Sequence, residues 1–566
     1  MRIGVLFKYV RDVFTKTWGA VAFAGGIAGA LFFISYFGTY ILDPANINWL
    51  LNDNDLEQHY TGWVFFRESS WQLPLGMIDG LAYPYGIPVT FIDSIPLFAF
   101  FFKLLGPILP ETFQYFGLWG LMCFALQGAL GALIVRRFSK NIFITTIASL
   151  LFVITPIFIG RMYIHTALAA NWLILAGILA LLYYRNIQVR GVRFEVWLWS
   201  VLMTLVILIH PYYLPMVGVF FASYLILAHK QVMRTAVLAI VPPVVMLIVF
   251  WVIGGFSLKG DSGAGGLDVY GFNLISPINP LGWSSILSSQ PIGVDSGETH
   301  NYLGLGVMSA CLLAFGLVAT VRPDRSRILK AIKNPKVWLI GALFVGLFIL
   351  SLGTVVRYQA HILFDLRDLP QRILEKWATF RSSARLFWPI YYLIITGAIA
   401  GIITTFNRTR NTAGALILVL MVVGMQYVDV VTSPQGSSRY MLTDSYVEKS
   451  VAEKEILQYA QGKKFNKITV KKHLVYIDSM KPQDFFNLNE FAIHEDLTMN
   501  TGYFSRAPNV SIGTLINDSK DLVGTGAKIG GESLFVAPAT SLDALRIPPN
   551  SYTMDRVAGY VFIYDK

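Results

Sequence analysis

Apolar runs of bilayer-spanning length recur along most of this chain, and no water-soluble core can absorb so many of them. They fall near residues 18–42, 113–135, 141–160, 166–184, 195–211, 213–228, 235–254, 301–321, 337–353, 386–404 and 413–431, about eleven spans in all. Hydrophobic residues make up 55% of the 566 and charged residues only 14%, so the fold class is a polytopic α-helical membrane protein. Four basic residues precede the first run, which has no small-residue cleavage site and reads as a retained span with a cytoplasmic N-terminus. Cys123 and Cys311 both lie inside apolar runs, which excludes a disulfide framework or a CxxC site.

The net charge of +11 would suggest nucleic acid in a soluble chain, but here the cations sit mostly in short loops between apolar runs. Arg136/Arg137/Lys140, Arg185/Arg190/Arg193, Lys230/Arg234, the run Arg322 to Lys336 and Arg408/Arg410 all face the cytoplasm if IPLFAFFFKLLG, interrupted by Lys103, lies along the outer interface instead of crossing. The outer side then receives an acidic stretch after the first span, a glycine-rich loop at about 256–300, a basic loop at about 354–385, and everything after about 432. Two domains are expected: a membrane domain, 1–432, and an extracytoplasmic domain, 433–566. The second carries short β-like runs (KITVKKHLVYI, SLFVAP, GYVFIY) and suits one small α/β or α+β unit. It has no nucleotide loop, zinc spacing or hydrolase elbow, so it reads as a cap or an acceptor-binding module.

The acidic stretch, Asn52 to Arg67, reads as an amphipathic helix capped by Asn52 or Asp53. Helical spacing puts Asp55, His59, Trp63 and Arg67 along one stripe, an arrangement that suits either an interfacial helix or a site in which His59 and Arg67 meet substrate. The basic loop places Arg372, Lys376, Arg381 and Arg385 among Leu374, Trp377, Phe380 and Phe387 on the side that disfavours positive charge. A phosphorylated lipid explains this, with cations on the phosphate and aromatics on the chain; two interfacial helices on anionic headgroups are the alternative. Arg161 and His165, one turn apart where the chain turns back, suit a phosphate or sugar site or a pair of interface anchors. His210 sits beside a proline and two tyrosines, where helix breaking and anchoring account for it. Tyr270 and Asn273, in the glycine-rich loop with Asp261 and Asp268, fit a lid that orders on substrate.

The order of these parts resembles that of GT-C membrane glycosyltransferases: one span, an outer loop with an acidic motif, an interfacial helix, many more spans and a C-terminal outer domain. The segment DSIPLFAFFFKLLG resembles the Glu-Lys-Pro-Pro-Leu segment of lipid A aminoarabinose transferases, with Asp93 for the glutamate and Ser94 for the lysine. DNDLEQHYTGWVFFRESSW, NYLGLG and RSSARLFWPIYY are similar to blocks of an uncharacterised bacterial multi-pass family placed in that class by analogy. The resemblance implies transfer of a sugar from a polyprenyl-phosphate donor to a glycan, lipid or protein acceptor at the outer face of a bacterial cytoplasmic membrane. It also implies a catalytic acid at Asp55 or Asp53, with Asp93 nearby.

Such a transfer needs a base for the acceptor hydroxyl, which suits Asp55 held near apolar surface, and cations for the departing phosphate, a role for Arg372, Arg381 or Arg385. Asp53, Asp55 and Asp93 also make an oxygen set for Mg or Mn, optional for an inverting displacement. A transporter or flippase of a lipid-linked glycan would want charges inside the spans, of which the sequence has few, and a repeated pair of broken helices, which it lacks. A non-catalytic envelope scaffold would not need charge and aromatics concentrated in loops at one face.

Overall fold

The computed structural model describes residues 16–566 except 52–54, 229–230, 258–265, 295–296, 321–332, 438–450, 462–471 and 507–508. Six helices are long and apolar enough to cross a membrane: α1 (Lys16–Phe37), α4 (Phe116–Val135), α7 (Val192–Ile209), α9 (Val232–Val252), α13 (Trp388–Arg408) and α14 (Thr412–Val431). Five further apolar helices are shorter: α5 (Ile142–Val153), α6 (Trp172–Leu182), α8 (Tyr213–Ala228), α10 (Leu305–Thr320) and α11 (Pro335–Ser351). All eleven expected runs are therefore helical, but not all at full span length. The run at 141–160 shows why: Pro156 cannot continue the ladder, Thr155 before it is extended (ψ 132°), and a separate short helix Pro156–Ile159 begins there.

Helices α1 and α4 approach at backbone distance. A Cβ added at Gly29 would lie 2.1 Å from Phe124 O, and one at Gly128 would lie 2.2 Å from Gly25 O. Small residues at this spacing are how membrane helices come close enough to gain dispersion contacts where lipid supplies no hydrophobic drive. At one end of the bundle the Asn407 amide donates to Phe138 O, among the basic turns. The other end carries α2 (Asp55–Glu68), the basic loop and the C-terminal part.

Helix α3 (Pro96–Leu104) has nine residues, about 14 Å of rise, too short to cross. Lys103, which interrupts its apolar sequence, turns back onto α2, where its Nζ donates to Phe66 O and Ser69 O at 2.7 Å and lies over the Phe66 ring. The basic loop differs from the pair of interfacial helices weighed above. It forms a hairpin, β3 (Val355–Tyr358) with β4 (His361–Asp365), then the short helix α12 (Gln371–Ala378) and a 3-10 turn, Ser383–Phe387, leading into α13.

The C-terminal part is a five-stranded mixed sheet of order β6-β5-β7-β9-β8, built from β5 (His473–Tyr476), β6 (Thr498–Met499), β7 (Ser533–Pro538), β8 (Tyr552–Val557) and β9 (Tyr560–Asp565). Its alternate residues bury opposite faces: Phe535, Ala537, Val561 and Ile563 on one, and Leu534, Val536, Tyr560 and Phe562 on the other with Phe485, Leu488 and Phe491 of α16 (Pro482–His494). It docks through backbone and side chain alike. Met499 N donates to Gly80 O at 2.8 Å, Tyr83 N donates to Met499 O at 2.9 Å, and Asn489 donates to Glu57 and Thr61 on α2.

Candidate functional site

Several loop segments and the head of α2 enclose a cavity of about 450 Å³, whose walls include Asp55, Asp93, His165, His210, Tyr270, Glu298, Arg381, Arg385, Tyr503 and Arg506. One side is apolar, with Ile207 of α7 and Met246, Leu247 and Phe250 of α9. Leu247, Ile248 and Trp251 are exposed on α9, so this side opens toward the bundle's exterior.

Asp93 is buried at the centre of a tight turn. Its backbone adopts φ +57°, and Ile95 follows at φ +51°, a region that costs a β-branched residue energy and persists where surroundings fix it. Those surroundings are present: Ser94 Oγ donates to His59 O at 2.7 Å, and Tyr115 donates its hydroxyl to Ser94 O. Gly62 lets the turn close on α2, because a Cβ there would meet Ile92 Cγ2 at 2.1 Å. The carboxylate lies between two imidazoles, with Oδ1 3.2 Å from His210 Nε2 and Oδ2 3.5 Å from His165 Nε2. Burial alone would raise its pKa, but the His210, His59 and Arg385 side chains hold it below the usual carboxylate value.

Asp55 is placed differently. It heads α2 and accepts a bond from Tyr503 Oη at 3.1 Å, and burial, helped by Asp93 and Glu298, raises its pKa above 3.8 despite that bond. Asp93 is thus held ionised, whereas Asp55 is poised toward proton uptake.

Glu298 forms the third constellation. Arg161 Nη1 and Nη2 donate to its two oxygens at 3.0 and 3.3 Å, and Arg385 Nε donates to Oε2 at 2.7 Å. Burial would raise this carboxyl, but the two guanidiniums hold it well below the usual range. Arg385 also stacks on Tyr212, its Cζ 4.9 Å from the ring centroid, and Arg161 on Trp388 at 5.2 Å. Arg161 and Arg385 therefore enter the site already compensated. Arg381 has no ion-pair partner among the described residues, and Arg506, which donates to Thr379 O at 2.8 Å, has no carboxylate partner among them.

The expected site residues divide accordingly. Asp55, Asp93, His165, Tyr270, Arg381 and Arg385 converge on the cavity, with His59 and Arg161 directly behind it. Arg67 does not reach it: its guanidinium collects the carbonyls of Gly106, Leu109, Pro110 and Glu111 and closes the turn after α3. Asn273 is buried on the backbone of Gln359, to which it donates and from which it accepts. Arg372 and Lys376 are exposed on α12, away from the cavity walls. Asp53 and Asp261 lie outside the described residues. Glu298, His210, Tyr503 and Arg506 were not expected. His210 looked like an ordinary turn residue, and the one signal for Glu298 was an acid just before a membrane run.

Of the oxygen set Asp53, Asp55 and Asp93, the first lies outside the described residues. Asp55 turns to Tyr503, and Asp93 is grouped instead with His59 and His165, each offering one ligand atom within 4.8 Å of the others. This group can hold a metal ion. His59 Nε2 and His165 Nδ1 are buried without a hydrogen-bond partner among the described residues, as imidazoles awaiting a ligand would be. His59 Nδ1 contacts Thr166 Oγ1 at 3.0 Å, which fixes the ring. A mixed nitrogen and oxygen set favours Zn or a similar borderline ion over Mg.

No curated protein matches the sequence. Among solved structures, the chain is similar to the archaeal oligosaccharyltransferase AglB from Archaeoglobus fulgidus, in complex with an inhibitory peptide and a dolichol-phosphate. The identity is 10%, with 98% of this chain and 75% of that one covered and a TM-score of 0.47. It is also similar to ArnT from Cupriavidus metallidurans bound to undecaprenyl phosphate, at 12% identity, 95% and 97% coverage and a TM-score of 0.44. The domain of unknown function DUF6311 matches residues 26–431, the greater part of the sequence, and the chain therefore belongs to the DUF6311 family.

Proposed function

We propose that this chain is a membrane glycosyltransferase of the GT-C class, moving a sugar from a polyprenyl-phosphate donor to a hydroxyl of an envelope glycan, lipid or protein at the outer membrane face. The observation that carries this reading is the cavity, where a carboxylate of raised pKa, two guanidiniums without carboxylate partners and an apolar wall open to the bundle exterior share one space. A prenyl chain suits the wall formed by Met246, Leu247 and Phe250, and Arg381 and Arg506 suit the phosphate. Arg372 and Lys376, on the exposed face of α12, are better placed for headgroups of the surrounding lipid.

In the proposed inverting displacement, the acceptor oxygen forms a bond to the anomeric carbon as the bond from that carbon to the phosphate oxygen breaks. The electron pair leaves with the phosphate, beside the guanidiniums, and Asp55 takes the acceptor proton. Asp55 suits the base because its pKa is raised, whereas Asp93 is held between two imidazoles. A metal held by His59, Asp93 and His165 would supply Lewis-acid stabilisation of developing negative charge.

The test is to incubate the purified protein in nanodiscs with a panel of polyprenyl-phosphate sugars and measure donor consumption. Consumption of one donor, with release of the polyprenyl phosphate, is expected. Movement of intact lipid-linked glycan across proteoliposomes without any donor cleavage would replace this reading with the transporter.

A further inference from the structure

The C-terminal part does more than cover the cavity. The segment from Tyr503 to Arg506 lines it, pinned to three separate pieces of the membrane part. Gln58 Nε2 on α2 donates to Tyr503 O at 2.8 Å; Ser505 donates through N and Oγ to Phe91 O at 3.0 and 2.7 Å; Arg506 donates to Thr379 O in the basic loop. The Tyr503 ring packs edge-on against Phe486 of α16, with centroids 5.7 Å apart. These anchors fix both the main chain and the ring, and so aim the hydroxyl at Asp55 Oδ1.

We propose that Tyr503 is a positioning residue for Asp55, delivered by the C-terminal part, so that the site is complete only with that part docked. This rests on the reading of Asp55 as the base. Asp55 heads α2, where the unpaired N–H groups of the first helical turn compete for any nearby carboxylate. A phenol on Oδ1 opposes that rotation and leaves Oδ2 for the acceptor hydroxyl. The other charged groups around Asp55 are Asp93, Glu298 and Arg385, with His165, His210, Arg381 and Arg506 on the same cavity walls. None of them is bonded to Asp55 among the described residues, so the phenol is its one fixed contact there. Burial and the Asp55 charge hold the Tyr503 hydroxyl protonated, which keeps it a donor.

Tyr503→Phe removes only the hydroxyl, keeping the ring on Phe486 and the carbonyl bonded to Gln58. With saturating acceptor, kcat for sugar transfer should fall about tenfold or more while KM for the lipid donor stays within about twofold and the melting midpoint is unchanged. Because Tyr503 acts through Asp55, the double variant Tyr503→Phe/Asp55→Asn should be no slower than Asp55→Asn alone. Unchanged kcat in Tyr503→Phe, a loss confined to KM, or a double variant slower by the full Tyr503→Phe factor would each overturn the proposal. If Tyr503→Phe also melts lower, Tyr503→His, which retains a ring donor, should recover rate at the same reduced stability; equal rates for Phe and His also overturn it. Wild-type transfer by Asp55→Asn is a distinct result that rejects the base reading itself.

Discussion

Replacing Glu298 with glutamine keeps its shape and removes its charge, leaving the Arg161 and Arg385 guanidiniums without the carboxylate they share and with Asp93, acting on Arg385, as a remaining negative charge. Both cations are nearly buried, their side chains 8% and 7% exposed, and Glu298 is 20% exposed. At about 4 Å and an effective dielectric of about 20, each lost attraction amounts to about 4 kcal/mol. The desolvation cost of the buried carboxylate, no longer incurred in the variant, offsets part of this, and deletions of one partner from buried pairs commonly cost about 3–5 kcal/mol in total. The Arg67–Glu68 contact is a built-in comparison, since Glu68 is 69% exposed and such surface pairs contribute at most about 1 kcal/mol. Thermal unfolding in one detergent should therefore show a large drop in midpoint for Glu298→Gln and almost none for Glu68→Gln. Adding Arg385→Leu to Glu298→Gln should cost less than the sum of the single losses, because one stranded cation is then removed. Equal midpoints for Glu298→Gln and Glu68→Gln would refute the buried clamp.

The rate of sugar transfer, measured against pH, should rise as Asp55 loses its proton, because a base must be ionised. Its folded pKa is raised, so the midpoint of that limb should lie above 3.8, and a midpoint at or below that value would contradict the burial assigned to this group. Calorimetric titration of Zn into the purified protein should show one site, weakened at least about tenfold in both His59→Ala and His165→Ala; uptake unchanged in both would remove the imidazole-carboxylate group as a metal site. Gly29→Val should prevent the close α1–α4 approach and lower the yield of folded protein in detergent, whereas Gly218→Val, with no atom within 4 Å of the added Cβ, should not. Equal yields would contradict the backbone contact at Phe124.

How legible these features are in the sequence depends on the range over which each is determined. Apolar runs and prolines act locally, so the helices around 116–135 and 412–431 could be read directly, and Pro156 marks the break that shortens α5. Convergence was partly visible, since Asp55, Arg381 and Arg385 were all assigned to one face and all line the cavity. The stripe on α2 misled at Arg67, because its guanidinium is taken by carbonyls of a turn that periodicity cannot see. The same limit hid Glu298, whose partners lie on two distant segments, and His210, whose carboxylate partner comes from the turn before α3. Tyr503 had no signal at all: nothing in a tyrosine near the end of a chain points to a carboxylate beside the first span.

The most direct measurement is sugar transfer by the purified protein, wild type beside Asp55→Asn, with a polyprenyl-phosphate donor and melting midpoints measured in the same preparation. Donor cleavage by wild type that falls to a small residual rate in Asp55→Asn at an unchanged midpoint is the predicted result. Equal cleavage by the two proteins, or no cleavage of any donor by a folded wild type, would contradict it.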